Sequence, residues 1–150
     1  MAARATYVIV FTQESWRQFK RAGANTAGFP ERAMSRAKRL APGDTLLCYL
    51  VNGGGWVAAL RVAGRAYSAT EPPIWTGSVF PVRVPVEMLV ELPVQDAVPA
   101  TELLDRLPRL WRANLKAPGG WAGYIRGTPR LWPEDEAGTV LQAIRQRIDR

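Results

Sequence analysis

The stretch Pro42-Gly43-Asp44-Thr45-Leu46-Leu47-Cys48-Tyr49-Leu50-Val51-Asn52-Gly53-Gly54-Gly55-Trp56-Val57-Ala58-Ala59-Leu60-Arg61-Val62 decides how this chain folds. Asn-Gly separates two apolar runs, residues 45–51 and 56–62. The central residues of a tight hairpin turn need positive φ, which Asn and Gly tolerate, so the pattern predicts a central antiparallel hairpin. In its first strand Thr45, Leu47, Tyr49 and Val51 alternate with Leu46, Cys48 and Leu50. Both sets are largely apolar, which predicts a core strand covered on both faces.

Working outward, residues 6–11 (Thr-Tyr-Val-Ile-Val-Phe) are β-branched and aromatic and predict a buried strand. A short helix follows, with Thr12 as N-cap, Trp16 and Phe19 on one face and Gly23 at its end. Residues 22–29 read as a loop. Pro30 suits a first helical position, and residues 31–40 carry a two-sided helical pattern. Arg32, Arg36 and Arg39 fall within about 60° of one another on the wheel, while Ala33, Ala37 and Leu40 form a packing face. That stripe has the spacing to follow a phosphate backbone, although a solvated basic face has the same pattern.

Beyond the hairpin the chain turns through Gly64 and Pro72-Pro73 to Trp75. Residues 79–92 predict a long strand in which Val82, Val84, Val86 and Met88 alternate with Arg83, Pro85 and Glu87. Pro85 cannot donate to a ladder, which places this strand at an edge or puts a bulge there. Residues 93–99 are a connection, and residues 101–107 a brief helix with Leu103, Leu104 and Leu107 inward. Residues 108–129 read as irregular. A last helix begins near Pro133, with Glu134-Asp135-Glu136 at the positive end of its dipole and Ala137, Leu141, Ile144 and Ile148 on one stripe.

Composition bounds the function. At 150 residues and 16.6 kDa, with 47% hydrophobic and 22% charged residues, the chain is expected to form one domain over residues 1–150. No apolar run approaches the roughly 20 residues of a membrane span, so a cytoplasmic protein without a membrane partner is expected. A single cysteine, Cys48, excludes an internal disulfide or cysteine cluster and reads as a core residue. The absence of histidine excludes Ser-His and Cys-His catalysis and the commonest metal ligand. The net charge of +7 is concentrated in residues 1–40, where eight Lys/Arg face two acids, a footprint expected for a polyanionic partner.

Gly53-Gly54-Gly55 lacks a following Gly-Lys-Ser/Thr and helix, so it is a turn and not a phosphate loop. Nucleobase deaminase motifs are absent. No active site is legible. Aromatic residues do gather near the loops that bound the hairpin: Trp16, Phe29, Tyr49, Trp56 and Trp75. Each one singly is a good core residue, but aromatic faces also bind flat bases by stacking, and Trp75 sits in a loop between Pro72-Pro73 and Thr76-Gly77-Ser78.

These residues carry a family resemblance. The order strand, Thr12-Gln13-Glu14-Ser15-Trp16, Gly28-Phe29 before a basic helix, Pro42-Gly43-Asp44, Tyr49, Pro73-Ile74-Trp75 and Phe80-Pro81-Val82-Arg83-Val84 resembles the EVE domain. Tyr124-Ile125-Arg126-Gly127 before an acid-started helix is also similar, and the likeness spans residues 6–146. EVE domains have a PUA-like fold and are similar to YTH domains, which read methylated adenine in RNA; residues 51–56 look like the corresponding YTH hairpin.

The resemblance implies an α+β, PUA-like fold, a small twisted and mostly antiparallel β-barrel with surrounding helices. It also implies a non-enzymatic, cofactor-free reader of a modified base in DNA or RNA, bacterial EVE proteins being linked to modified cytosine or adenine. Trp75 matches the cage tryptophan and Phe29 the aromatic position after the first loop, where YTH domains have tryptophan. Thr12 and Gln13 match the positions that hydrogen-bond the base edge; many EVE domains have asparagine at the latter. Trp56 either lines this pocket or fills the barrel end. Arg32, Arg36 and Arg39, with Arg126, are then expected to hold phosphates. A restriction-type or RNA-processing protein is an expected partner. Two alternatives stay open: a sensor of a nucleoside-like small molecule, and an accessory specificity subunit for a separate nuclease or helicase.

Overall fold

The two apolar runs pair as the hairpin that the sequence predicts, β3 (Thr45–Leu50) against β4 (Gly55–Val62). The computed structural model describes residues 4–52, 54–77, 80–107 and 128–149. Leu46, Leu47, Cys48 and Leu50 are all buried, so β3 is covered on both faces, and burial pushes the Cys48 thiol pKa well up. The turn is longer than a two-residue link. Leu50 pairs with Gly55, which leaves residues 51–54 as the loop, with Asn52 left-handed at φ 61°. Close approach explains Gly55: a Cβ there would stand 2.3 Å from the Val98 carbonyl oxygen. Val98 is that near because it exchanges two backbone hydrogen bonds with Trp56, at 2.8 and 2.9 Å.

Five more strands complete a curled mixed sheet: β1 (Thr6–Phe11), β2 (Thr26–Phe29), β5 (Tyr67–Ser68), β6 (Val82–Glu91) and β7 (Arg130–Leu131). Their order is β2-β6-β4-β3-β1-β7, with β5 also on β6. β1 runs parallel to β3, from Thr6 opposite Thr45 to Phe11 opposite Leu50, and the other pairings are antiparallel. With helices packed about it the architecture is α+β, as expected.

The expected loop over residues 22–29 is corrected at its end. Thr26 to Phe29 form β2, whose four residues are too few to show a strand pattern and which exists because β6 pairs with it. Nor is β6 an edge strand. Its first residues pair with β2 and β5, and from Val86 onward it pairs with β4. Pro85 lies where the β4 ladder ends: its carbonyl accepts from the Ala63 N–H at 2.8 Å, the one bond of that pair which proline permits. The bulge lies further on in β6: Ala59 pairs with Val90 and Leu60 with Met88, which leaves Leu89 unpaired. Arg83, which alternates with the core valines, is only 4% exposed, because its side chain is held against the loop before Trp75 by a hydrogen bond to the Pro72 carbonyl.

Helix α1 (Gln13–Arg21) is capped by Thr12 as predicted, and its Trp16 and Phe19 pack on Phe11 with ring centroids 5.0 and 5.3 Å away. The predicted helix over residues 31–40 breaks into a 3-10 turn, Glu31–Ala33, and a short α2 (Met34–Ala37). Pro30 is extended (ψ 159°) and precedes the turn instead of opening it. Ala33, Ala37 and Leu40 are buried as predicted.

α3 (Ala100–Leu103) and a 3-10 turn (Leu104–Arg106) bury Leu103 and Leu107; the Leu104 side chain lies outside the described residues. The irregular reading of 108–129 falls almost entirely outside them too. The final helix, α4 (Glu134–Ile148), keeps its acidic first turn, but its buried face is Ala137, Val140, Ala143 and Ile144. Ile148 is 47% exposed. One turn after Ile144 the contact is made by Arg147, which pairs with Glu102 at 2.8 Å and donates from Nε to the Asp96 carbonyl at 3.3 Å.

Candidate functional site

A cavity of about 570 Å³ opens where the end of β1, the end of β2 and the loop carrying Trp75 converge. Each element contributes for a local reason. β1 stops at Phe11 because the next residue, Thr12, turns the chain into α1. Its hydroxyl accepts from Ser15 N–H at 3.0 Å, and Ser15 Oγ accepts from Thr12 N–H at 3.0 Å. This reciprocal cap forms one lip of the cavity. The two hydroxyl protons are also held inside it: Thr12 Oγ1 donates to Ser15 Oγ, and Ser15 Oγ to the Thr12 carbonyl, both at 3.2 Å.

β2 supplies Gly28 and Phe29. Phe29 is nearly buried, yet lines the cavity. Gly28 is a seat for Trp75. A Cβ at this position would lie 2.4 Å from the indole Cη2 and 2.5 Å from Cζ3, far inside contact distance. Trp75 is half-buried, and its other neighbour, Phe80, meets it edge to face at 5.4 Å and 82°. Two polar clamps fix the loop. Buried Gln18 on α1 donates from Nε2 to Thr76 Oγ1 at 2.7 Å and accepts from Thr76 N–H at 3.3 Å. Buried Arg83 donates from Nη2 to the Pro72 carbonyl at 2.6 Å.

The remaining wall is cationic. Arg32 and Arg36 both line the cavity. Arg36 is half-buried; its Nη2 reaches the Thr128 carbonyl at 3.4 Å, and its buried Nε has no partner among the described residues. Arg39 leaves the stripe, because the 3-10 turn shifts the phase and α2 ends before it. It lies instead near Tyr7, where it partly offsets burial and Asp44, which together raise the Tyr7 pKa.

Of the sequence-predicted site residues, the cavity therefore brings together Thr12, Phe29, Arg32, Arg36 and Trp75. Gln13 is exposed on α1 and does not line it. Trp56 is fully buried, with Tyr49 and Trp132 edge-on at 5.0 and 5.2 Å; it fills the core. Arg126 lies outside the described residues. Sequence reasoning did not single out Ser15 or Phe80 as site residues, nor Gly28 as the seat of Trp75. A glycine inside a strand does signal close approach of another group, and Gly28 is such a case.

Comparison with solved structures places the architecture. The chain superimposes on the Mmi1 YTH domain with a TM-score of 0.66 at 12% identity, over 99% of this chain and 79% of the other. The chain has an EVE/YTH-like fold. A hypothetical protein from Leishmania major matches the chain with a TM-score of 0.65 at 15% identity, over 97% and 98% of the two chains. The Mmi1 YTH domain in complex with RNA matches with a TM-score of 0.63 at 11% identity, over 97% and 80%. No family model and no curated protein matches the sequence. Among the described residues no helix is long and apolar enough to cross a membrane.

Proposed function

We propose that this EVE/YTH-like domain binds nucleic acid and takes one modified nucleobase, unpaired or flipped out, into the cavity between Trp75 and Phe29. The observation that carries the reading is the composition of that cavity, whose aromatic walls Phe11, Phe29, Trp75 and Phe80 stand beside Arg32 and Arg36. Its volume of about 570 Å³ falls within the roughly 300–1,000 Å³ usual for sites that enclose small planar ligands. Stacking holds any base by its face, and the arginines supply charge where the flanking phosphates leave the cavity. The Mmi1 YTH domain, which shares this fold, has been solved in complex with RNA, and that supports the nucleic-acid-binding part of the reading. In this reading the domain is a single non-enzymatic reader over residues 1–150, and chemistry on the nucleic acid belongs to a separate protein.

The test is binding of the purified chain to matched single-stranded and duplex DNA and RNA. Each carries one central unmodified, methylated or hydroxymethylated cytosine, or one N6-methyladenine, and each is measured at two salt concentrations. The reading expects one modified base to be preferred at equal charge and the preference to vanish in Trp75→Ala. Equal, steeply salt-dependent binding to every member would leave a basic surface and no reader. Salt-insensitive binding of the free nucleoside would favour a small-molecule sensor, for which the cavity volume of about 570 Å³ is the supporting observation.

A further inference from the structure

An aromatic cavity is by itself well suited to cations, since ring faces attract methylated ammonium groups and positively charged bases. The charge around this one points the other way. All 13 Asp and Glu side chains belong to described residues, and none of them lines the cavity. The cavity wall carries two guanidiniums instead.

The hydrogen-bonding inventory agrees. The only side-chain hydroxyls that line the described cavity, besides Thr128, are those of Thr12 and Ser15, and both have their protons committed within the helix cap. Arg36 has five N–H donors, of which one reaches a protein acceptor, at 3.4 Å. The free side-chain hydrogen-bonding capacity of the wall is therefore mainly donor capacity, in a rigid planar fork that matches two adjacent acceptors.

We infer that the cavity selects a planar ligand presenting an acceptor or anionic edge to Arg36, and rejects cationic ligands despite its aromatic walls. The inference rests on the nucleobase reading and narrows it. An anionic pyrimidine such as 5-carboxylcytosine fits this wall best. An amino-edged base such as N6-methyladenine offers Arg36 a donor where it needs an acceptor, and cationic N1-methyladenine is repelled.

The experiment compares single-stranded oligonucleotides that differ only at one central position: 5-carboxylcytosine, 5-methylcytosine, N6-methyladenine or N1-methyladenine. A guanidinium reading a matched two-acceptor edge discriminates by about tenfold or more, so the carboxylated oligonucleotide should bind at least about tenfold tighter than the 5-methyl one. N1-methyladenine should bind worst. Arg36→Gln should bring the carboxyl-to-methyl ratio close to one, Arg36→Lys should retain part of it, and Arg39→Gln, which lies off the cavity, should leave the ratio intact. Tightest binding of either methyladenine, or an unchanged ratio in Arg36→Gln, would overturn the inference; the parent panel decides the first even if a variant folds poorly. Trp75→Ala separates the two levels. If it leaves all binding unchanged, the nucleobase reading itself fails and the inference with it; if it abolishes binding while the carboxylate preference is absent, only the inference fails.

Discussion

Trp56 and Trp75 each follow a turn-rich stretch of the sequence, Trp56 as the second residue of β4 and Trp75 in the loop between β5 and β6, yet one is core and the other wall. Trp56 is fully buried between Tyr49 and Trp132, and its backbone is fastened to Val98. Trp75 stands half-buried on Gly28, in a loop held by Gln18 and Arg83. The difference lies in what each is packed against. A ring enclosed by other rings and by a β-bridge contributes chiefly to stability. A ring resting on a bare Cα at the mouth of a cavity leaves surface for a ligand.

The comparison breaks most visibly at Trp56. Trp56→Ala should cost about 3–5 kcal/mol of folding stability, since a large buried aromatic leaves a cavity that the surrounding strands cannot close. Chemical denaturation measures it, and a loss below about 1 kcal/mol would mean the ring is not core. Trp75→Ala should reverse the balance. Affinity for the preferred modified oligonucleotide should fall by about 1–3 kcal/mol, the usual worth of a stacked base, with a smaller loss of stability.

Gly28→Ala sharpens the same contrast without touching a ring. Its methyl carbon would lie within 2.5 Å of the Trp75 indole, so the ring must move off its seat. Affinity should drop about as far as in Trp75→Ala, by roughly 1–3 kcal/mol. In the double variant the second substitution should add almost nothing, because both act through one contact. Full additivity would mean that Gly28 serves the strand and not the tryptophan. Gln18→Ala comes next: it removes both bonds to Thr76 and should cost about 1 kcal/mol of affinity by freeing the loop.

How much of this was legible in the sequence follows from the length of each signal. β1, β3 and β4 have six to eight residues of pattern and were readable, as was α1 from its cap and its Trp16/Phe19 face. β2, β5 and β7 have two to four residues, and their existence is decided by distant partners: β6 for the first two, β1 for the third. Arg83 followed the alternation of its strand, but a residue covered by a loop is buried whatever its parity. The arginine stripe assumed a uniform helix, and the 3-10 turn kept Arg32 and Arg36 at the cavity while releasing Arg39. Phe29 and Trp75 stood among five aromatics near the loops that bound the hairpin, and the family resemblance assigned these two to a pocket; both line the cavity. The contact of Gly28 with Trp75 joins positions 47 apart, and no local pattern carries it.

Thr12 gives the smallest effect and the finest distinction. The resemblance casts it as a reader of the base edge, whereas the geometry commits its hydroxyl to the α1 cap. Thr12→Ala should cost about 1 kcal/mol of stability, the usual worth of a lost N-cap. If the cap is the whole role, affinity should change less than in Gln18→Ala, and Thr12→Ser, which keeps the capping oxygen, should restore both stability and binding. If the hydroxyl instead turns to the ligand, breaking the cap to do so, Thr12→Ala should lower affinity more than stability, and the loss should be confined to the preferred base. Measuring melting and binding on the same three proteins separates the two, because a cap acts on every ligand alike and a reading group acts on one.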